Sequence, residues 1–381
     1  MTSAIAPKVA IIGCGISGAV CASTLAKNGV PVTIFDLGRG PGGRMSQRRE
    51  TTEEGKNLFF DHGAPYFSVT NPTVLDVVHE WESRGLAAEW KERFGSYDCF
   101  SNKFIDHDEE SSRRRFVGIP GMNSICKGLC NDPGIESKFG VGVGKLEWMA
   151  DQNLWSVISL DGQFLGNFGG LIATDKLLAA SGFLHLKGVP PPIDMNVAPQ
   201  IASRMQDLPA RPCFALMLAF TEPLQSIPMK GFSFINSEVL RSASCDSSKP
   251  GRSSSSECWV LYSTAEYAKK VIDECDAGLK KPSTATLTKV AEELLQAFQS
   301  TGLCTSQPYF MKAHRWGSAF PAVSIAKEEK CLWDASKRIG VCGDFCVSPS
   351  VEGAIESGLA AASKLIEMFV PHSNQNTGTK L

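Results

Sequence analysis

The sequence predicts an α/β fold in which a Rossmann-type nucleotide-binding domain is assembled from both ends of the chain. Two observations predict it: an apolar strand followed by a glycine-rich turn near the N-terminus, and a second strand-turn-helix pattern around residue 343. Short apolar runs of this kind are typical of strands in a parallel sheet, because helices cover both faces of such sheets.

The N-terminal pattern reads as a βαβ unit. Residues 8–12 predict a buried strand, residues 16–28 a helix, and residues 31–35 a second strand that ends at Asp36. The turn between the first strand and the helix is G-x-G-x-x-G, which is residues 13–18. A strand before the motif and a helix after it make this a dinucleotide-binding fingerprint rather than a chance glycine cluster.

Each part of the fingerprint has a physical role. Gly13 permits a tight turn, Gly15 lets the backbone approach a pyrophosphate, and Gly18 lets the helix pack closely on the strand. Asp36 is positioned to accept hydrogen bonds from a ribose diol, and its charge argues against a 2′-phosphorylated cofactor. The adjacent residues expected to contact the nucleotide are Ile16, Ser17 and Leu37.

Three further elements favour FAD over NAD. The first is Gly42-Gly43-Arg44-Met45, where backbone N–H groups and the Arg44 guanidinium suit a pyrophosphate. The second is a buried strand at residues 170–174, which returns to the sheet and ends at Thr174. The set of predicted cofactor contacts includes Gly43, Arg44, Met45, Thr174 and Val143.

The third element, near the C-terminus, is the strongest. A strand at residues 339–343 ends in Gly343-Asp344, and a helix with small residues follows at residues 351–368. Asp344 can accept a hydrogen bond from a ribityl hydroxyl, and the helix N-terminus can stabilise negative charge on a reduced flavin. The predicted contacts here are Gly343, Asp344, Glu352, Gly353 and Ala354.

Because both chain ends contribute to one FAD site, the cofactor domain is predicted to be discontinuous. It comprises residues 1–71, 117–178 and 308–371, while residues 72–116 and 179–307 form a second, α+β domain on a mixed or antiparallel sheet, and residues 372–381 form a disordered tail. Residues 242–256 are rich in serine and predict a surface loop.

Composition limits the classes of partner and compartment. The 381 residues carry 38 Lys and Arg against 40 Asp and Glu, which gives no charge signature for nucleic acid or an anionic membrane. Residues 9–26 are apolar, but their glycines favour strand-turn-helix over a membrane span, so a soluble protein is expected. Thirteen cysteines without a C-x-x-C pair fit a reducing intracellular compartment, cytoplasmic or, after removal of a transit peptide, plastidic.

The chain resembles the flavin amine oxidase superfamily, and within it the renalase-like FAD/NAD(P)-binding oxidoreductases. The segments that carry the resemblance are residues 9–18, 42–45, 60–67, 117–122, 249–252 with 257–260, 313–316 and 343–361. The first and last are shared across the superfamily, whereas the middle segments are more specific. Together they span nearly the whole chain.

The resemblance implies a p-hydroxybenzoate-hydroxylase-like fold with noncovalent FAD. It implies hydride transfer from a small planar donor, for instance a dihydronicotinamide, to flavin N5, with reoxidation by O2 to H2O2. The family pattern places Gly63, Ala64, Pro65 and Tyr66 beside the flavin and the 314–316 segment near its ring. The Ser-Gly-Gly-Cys-Tyr context that attaches flavin covalently in monoamine oxidases is missing from this sequence.

Four residues are candidates for catalytic roles. Trp316 could stack on a flat substrate, Arg315 could hold an anionic group, and His314 could orient the substrate or move a proton. His62 is a further candidate because it precedes Gly63. Each also has a purely structural interpretation, as a packing residue, a salt bridge or a core side chain.

Two alternative functions stay open at this point. One is amine oxidase or desaturase/isomerase chemistry on the same flavin scaffold, and the other is a flavin-binding protein without catalysis. No second dinucleotide fingerprint, metal-ligand spacing or Ser-His-Asp pattern is visible, so no metal is expected. The sequence leaves the oligomeric state open.

Overall fold

The structure is a computed structural model that describes residues 7–106, 114–252, 256–275 and 281–370. Its strands, in chain order, are β1 (Val9–Ile12), β2 (Val32–Asp36), β3 (Arg48–Thr51), β4 (Asn57–Phe60), β5 (Phe67–Ser68), β6 (Ala87–Glu89), β7 (Phe94–Asp98), β8 (Lys103–Asp106), β9 (Arg115–Gly118), β10 (Ile135–Phe139), β11 (Val143–Met149), β12 (Leu154–Ser159), β13 (Phe164–Phe168), β14 (Gly170–Ala173), β15 (Ala210–Phe220), β16 (Gly231–Ile235), β17 (Leu240–Cys245), β18 (Glu257–Ser263), β19 (Phe310–Pro321), β20 (Leu332–Asp334) and β21 (Ile339–Val341).

The α-helices of the same residues are α1 (Ile16–Lys27), α2 (Pro72–Ser83), α3 (Asn123–Cys130), α4 (Gly182–Lys187), α5 (Pro199–Met205), α6 (Ala265–Glu274), α7 (Thr284–Ser300), α8 (Asp344–Val347) and α9 (Val351–Phe369). None of them is long and apolar enough to cross a membrane. The helices expected at residues 16–28 and 351–368 match α1 and α9 to within a residue.

A six-stranded sheet forms the nucleotide-binding part of the fold. Its strand order is β10-β2-β1-β14-β21-β20, in which all neighbours are parallel except β20 and β21. β1 and β2 come from the N-terminus, and β21 comes from near the C-terminus. The carboxyl ends of these parallel strands therefore meet at one edge of the sheet, where α/β proteins bind ligands.

Alternating side chains of this sheet pack against two different layers. Val9 and Ile11 of β1 join the core beneath α1, α2, α3 and α9, whereas Ala10 and Ile12 join the core beneath the β11-β12-β13 meander. Period-two alternation in a strand produces this division. The mixed α/β fold predicted from the sequence is confirmed.

A seven-stranded, mostly antiparallel sheet forms the second part, with strand order β19-β15-β18-β17-β16-β7-β8. One face packs against α6 and α7. The other face packs against Leu58 and Phe60 of β4 and turns toward the six-stranded sheet. This sheet supplies one wall of the cavity described below.

Two elements lie elsewhere than the sequence assigns them. β19 falls in a segment assigned to the cofactor domain, but it pairs with β15 from Ala210↔Pro321 to Ala219↔Phe310 and so belongs to the seven-stranded sheet. Helix α2, assigned to the second domain, packs in the nucleotide-side core through Val74, Val78 and Trp81. Both placements depend on long-range packing, which a local pattern does not carry.

The serine-rich stretch predicted as a surface loop is largely buried where it is described. Its first residues complete β17, and Asp246 and Lys249 are 1% and 3% exposed. Residues 253–255 of this stretch and the predicted tail at 372–381 lie outside the described residues.

A buried cluster of four charges joins the end of β4 to the segment that follows β17. Lys249 donates to Asp61 at 2.9 Å and also pairs with Asp246, while Arg252 pairs with Asp61 at 2.6 Å and with Asp246 at 3.2 Å. The Met122 N–H also donates to Asp61. Burial alone raises the pKa of Asp61, but Lys249 and Arg252 outweigh burial and hold the pKa below its usual value. Asp61 is therefore a buried carboxylate whose charge depends on its partners.

The cluster yields a stability prediction. Lys249→Met replaces one cation of the cluster with an uncharged side chain of nearly equal volume. The two buried carboxylates, Asp61 and Asp246, are then left with Arg252 as their cationic partner in the cluster. We expect the free energy of unfolding to fall by about 3 kcal/mol, because breaking a buried ion pair on one side strands its partner. Urea unfolding monitored by tryptophan fluorescence measures the change.

The matched control is Lys270→Met, which removes the exposed Lys270–Glu274 pair of α6. Its free energy of unfolding should change by less than about 0.5 kcal/mol. Equal effects of the two substitutions would contradict a stabilising role for the cluster.

Candidate cofactor and substrate site

A cavity of about 950 Å³ lies at the carboxyl edge of the six-stranded sheet. Its walls come from the N-terminal segment, the C-terminal segment and the seven-stranded sheet. The volume is at the upper end of the range for small-molecule sites, roughly 300–1,000 Å³, and is suited to a dinucleotide with further space.

The glycines of the G-x-G-x-x-G turn have the geometry expected of them. Gly13 has φ +106°, and a Cβ there would lie 2.2 Å from Thr174 Oγ1. A Cβ on Gly18 would lie 2.2 Å from the Gly13 carbonyl oxygen. Gly15 differs, because a Cβ there would meet no atom within 4 Å and would instead occupy the cavity. The loop is therefore an open cradle in front of the α1 N-terminus.

Asp36 closes one end of this cradle. Its carboxylate accepts hydrogen bonds from the Cys14 N–H at 2.5 Å and the Gly38 N–H at 2.6 Å. Since each carboxylate oxygen has two acceptor sites, Asp36 can still accept from a ligand hydroxyl. It lines the cavity, in the position expected for a ribose-binding acid.

The second glycine pair lies directly beside the first turn. The Gly42 N–H donates to the Cys14 carbonyl at 2.8 Å, and Gly42 has φ +131°. Arg44 follows in a single helical turn and forms two 2.6 Å hydrogen bonds with the Asp344 carboxylate. Both side chains line the cavity, so residues 300 positions apart in sequence form a mutual ion pair there.

The C-terminal segment presents a helix N-terminus to the same cavity. Ser350 caps α9 by accepting from the Gly353 N–H at 2.9 Å, and Ala354 in the first turn lines the cavity. Glu352 also lines it, but its Oε1 accepts from the backbone of Thr70 and Asn71, both at 2.6 Å. Glu352 thus holds the loop before α2 against α9.

The residue 63–66 segment lies against Arg44. The Ala64 N–H donates to the Arg44 carbonyl at 2.8 Å, and a Cβ on Gly63 would lie 1.8 Å from that carbonyl oxygen. Only glycine permits this approach. The segment therefore forms part of the cavity wall next to the glycine-rich loops.

Most of the predicted cofactor contacts come together in this cavity. The lining residues among them are Gly13, Gly15, Ile16, Ser17, Asp36, Gly43, Arg44, Met45, Gly63, Ala64, Pro65, Tyr66, Thr174, Gly343, Asp344, Glu352 and Ala354. Four predicted contacts lie outside the lining. Gly18 packs behind the turn and Leu37 is half-exposed. Val143 is buried in the core, and Gly353 is part of the α9 cap.

Of the four predicted catalytic residues, Trp316 lines the cavity. His62 and His314 lie behind it, with ring centroids 5.1 Å and 4.8 Å from the Trp316 ring and 4.7 Å from each other. The Trp316 indole N–H donates to the His62 carbonyl at 2.8 Å. The three rings form one cluster in which the two histidines support the tryptophan.

Both histidines are neutral at physiological pH. Burial, aided by His314 and Arg48, lowers the pKa of His62 to about 3. Burial, aided by Arg48 and nearby lysines, lowers the pKa of His314 to about 4. Neither imidazole is poised near pH 7, which does not support a proton-transfer role for them.

Arg315 is placed on the other face of its strand. It pairs across the sheet with Phe214, whose side chain belongs to the core under α6 and α7, whereas His314 pairs with Ala215 on the cavity side. Opposed residues in an antiparallel pair share a face, and neighbours along a strand do not. The expected role of Arg315 in holding a substrate anion therefore lacks structural support.

Several residues of the cavity wall are not among those predicted from the sequence. Arg115, Arg241, Ser242 and Tyr262 line it, from β9, β17 and β18. Tyr262 was the most accessible to prediction, since it ends the apolar run 258–262 of β18, a pattern typical of a buried strand. Among the described residues, no group of three His, Cys, Asp or Glu side chains is suited to a metal ion.

The depressed histidine pKa values predict a pH dependence of stability. The unfolded state binds a proton at His62 below about pH 6.5, but the folded state does so only near pH 3. Above pH 6.5 His62 is neutral in both states and does not affect the unfolding free energy. As the pH falls from 6.5 toward 3, protonation favours the unfolded state, so the unfolding free energy declines. His62→Gln should flatten the decline of the unfolding free energy between pH 6.5 and 4.5, measured by urea titration at several pH values.

His185→Gln, at an exposed histidine of α4, is the control and should keep the wild-type pH profile. A His62→Gln profile parallel to wild type would contradict a buried, neutral His62.

Comparisons with known proteins agree with this architecture. Residues 11–81 match the family described as an NAD(P)-binding Rossmann-like domain. The crystal structure of a protein proposed to be a protoporphyrinogen oxidase, from Exiguobacterium sp. 255-15, is similar in fold, with a TM-score of 0.64 and 10% sequence identity over 94% of this chain and 99% of the other. The chain thus contains a Rossmann-like nucleotide-binding segment within a fold shared with that structure.

Proposed function

We propose that this protein is an FAD-dependent oxidoreductase that oxidises a small planar donor. One observation carries the proposal: a single cavity is lined both by the N-terminal dinucleotide motif and by Gly343, Asp344 and the α9 N-terminus. The adenosine diphosphate part that FAD and NAD share would need only the first half of this site. The second half, together with Trp316, suits the isoalloxazine ring of a flavin.

The residues present fit FAD. The Gly15 cradle leaves open space where a pyrophosphate would approach, and Asp36 keeps acceptor sites for a ribose. Arg44 and the α1 and α9 N-termini supply positive charge. Asp344 would hold a ribityl hydroxyl, and Gly63 to Tyr66 would lie along the ring.

The cavity cysteines support noncovalent attachment. Cys14 and Cys213 line the cavity among the described residues. Burial raises the pKa of Cys213 to about 11, and a hydrogen bond with Cys130, together with burial, raises that of Cys14. Both remain thiols at neutral pH and are poor nucleophiles.

In the proposed reaction, bound FAD would supply the hydride-accepting chemistry, with O2 as the final electron acceptor and H2O2 as its product. The chain binds and orients the donor. Trp316 offers a rigid flat surface, held by its bond to the His62 carbonyl and by the two neutral imidazoles behind it. Apolar wall residues such as Phe94 and Phe232 would limit water at the reacting centre.

FAD binding is the first test. Gly15→Val places a side chain in the cradle without steric conflict with the protein, so the fold should persist while FAD affinity falls ~10- to 100-fold. Gly40→Val is the matched control, because a Cβ there also meets open space but lies outside the cavity lining. Protein-bound flavin absorbance and fluorescence titration with FAD measure both. Wild-type protein that binds no FAD would overturn the proposal.

The donor is the second test. FAD-loaded protein mixed anaerobically with dihydronicotinamide isomers should lose its flavin absorbance and regain it on exposure to O2. Amines are the comparison series. Reduction by amines alone would favour amine oxidation on the same scaffold, and no reduction by either series would favour a flavin-binding protein without catalysis.

A further inference from the structure

A β-bulge brings Arg241 to the cavity wall. In the pairing of β17 with β18, Leu240 lies opposite Ser263 and Ser242 lies opposite Tyr262, so Arg241 has no counterpart. A bulge of this kind re-aims side chains, and bulges recur beside active sites. Here Leu240 stays in the core under α6 and α7 while Arg241 and Ser242 both line the cavity.

Two aromatic rings hold the Arg241 guanidinium in place. Its central carbon lies 4.7 Å from the Phe320 ring centroid and 5.4 Å from that of Tyr262. Stacking of this kind fixes a guanidinium without using its N–H donors. The Arg241 Nε is buried and donates to no acceptor within the described part of the chain. The Arg241 guanidinium is therefore held in place while N–H donors remain available to a ligand.

A second unpartnered polar atom lies on the same strand. Ser244 lines the cavity, is 1% exposed, and its Oγ has no hydrogen-bond partner among the described residues. Buried hydroxyl groups are ordinarily paired. An unpaired hydroxyl and an unpaired guanidinium N–H in one cavity wall are the pattern of a site built for a ligand with several acceptor oxygens.

The charges around Arg241 favour an anion. The described residues of the seven-stranded sheet that line the cavity include no Asp or Glu, whereas Arg115 of β9 adds a second positive charge. The lining carboxylates come from the nucleotide-side segments: Asp36, Asp175, Asp344 and Glu352. Asp61 and Asp246 lie behind Tyr262, but Lys249 and Arg252 neutralise them.

We propose that Arg241 binds the substrate, and that the substrate is a planar donor bearing a carboxylate or phosphate group. This inference rests on the proposed FAD-dependent function and names the substrate class of that same cavity. Arg241 donates hydrogen bonds to the anionic oxygens, and Ser242 and Ser244 offer hydroxyl groups beside it. The ring of the electron donor lies between these side chains and the flavin.

Binding of ring compounds to the FAD-loaded protein tests the inference without turnover. Benzoate and phenyl phosphate represent the two anionic groups, and benzamide is a neutral ring of the same shape. The change in flavin absorbance, checked by calorimetry, gives each dissociation constant. We expect at least one anion to bind about tenfold or more tightly than benzamide, since charged hydrogen bonds contribute 10- to 100-fold. The tighter anion identifies which group the site accepts.

Substitution then assigns the effect to Arg241. Arg241→Gln should remove about a tenfold or larger part of the anion preference and leave benzamide binding nearly unchanged, and Arg241→Lys should keep part of it. The matched control is Arg49→Gln, an exposed arginine that also lies over an aromatic ring, that of Phe59, but outside the cavity. It should bind all three compounds like wild type.

The outcomes separate the two proposals. Protein that binds no FAD fails before any ring compound is added, and that result contradicts the proposed function. Protein with a full complement of FAD that binds benzamide as tightly as both anions contradicts the inference alone, as does an unchanged preference in Arg241→Gln. If Arg241→Gln loses FAD, the Arg241→Lys variant decides, because lysine lacks the planar set of N–H donors: a partly lost anion preference supports the role of Arg241, and an unchanged preference contradicts it.

Discussion

Close contact between the backbones of α1 and α9 is the constraint on which the site depends. A Cβ on Gly18 of α1 would lie 2.2 Å from the Gly13 carbonyl, and a Cβ on Gly358 of α9 would lie 2.4 Å from the Ser17 carbonyl. Neither distance is compatible with a side chain. Gly18 lets α1 lie close to the turn that precedes it, and Gly358 lets α9 pack directly on α1, so the N-termini of both helices point at one cavity.

The two segments that meet at this contact were the parts of the site that the sequence predicted best. The motif around Gly13 and the segment from Gly343 into α9 are continuous stretches whose function lies in their own backbone geometry. Local patterns therefore predicted both, together with α1 and α9 and the joint cavity that their residues line. Gly18 and Gly353 were assigned to the cofactor but act on the protein itself, by permitting helix packing and cap formation.

The second sheet was less predictable because its register is long-range. Whether Arg315 or Trp316 faces the cavity depends on β19 pairing with β15, about a hundred residues away. Had residues 310–321 been recognised as a strand, period-two alternation alone would have separated the two side chains. Arg241 had no such signal, since it lies at the edge of a serine-rich stretch and its direction is set by a bulge against β18.

The same serine-rich stretch shows how a charged segment can be buried in the core. Its charged residues Asp246, Lys249 and Arg252 are typical of a surface loop. They are buried because Asp61, at the end of β4, pairs with both cations and the four charges compensate one another. The cluster fixes the start of the 63–66 segment relative to the seven-stranded sheet. The cavity thereby gains a wall whose position is set by buried electrostatics rather than by apolar packing alone.

The distribution of charge across the cavity bears on the choice between amine and anionic donors. Two tyrosines, Tyr66 and Tyr262, line it. An amine donor, however, is a cation in water near neutral pH, and the tyrosines share their wall with Arg115 and Arg241. Like charges at short range in a site of reduced dielectric repel strongly. With His62 and His314 neutral and the Arg241 Nε without a hydrogen-bond partner among the described residues, a donor that carries its own negative charge is the better match.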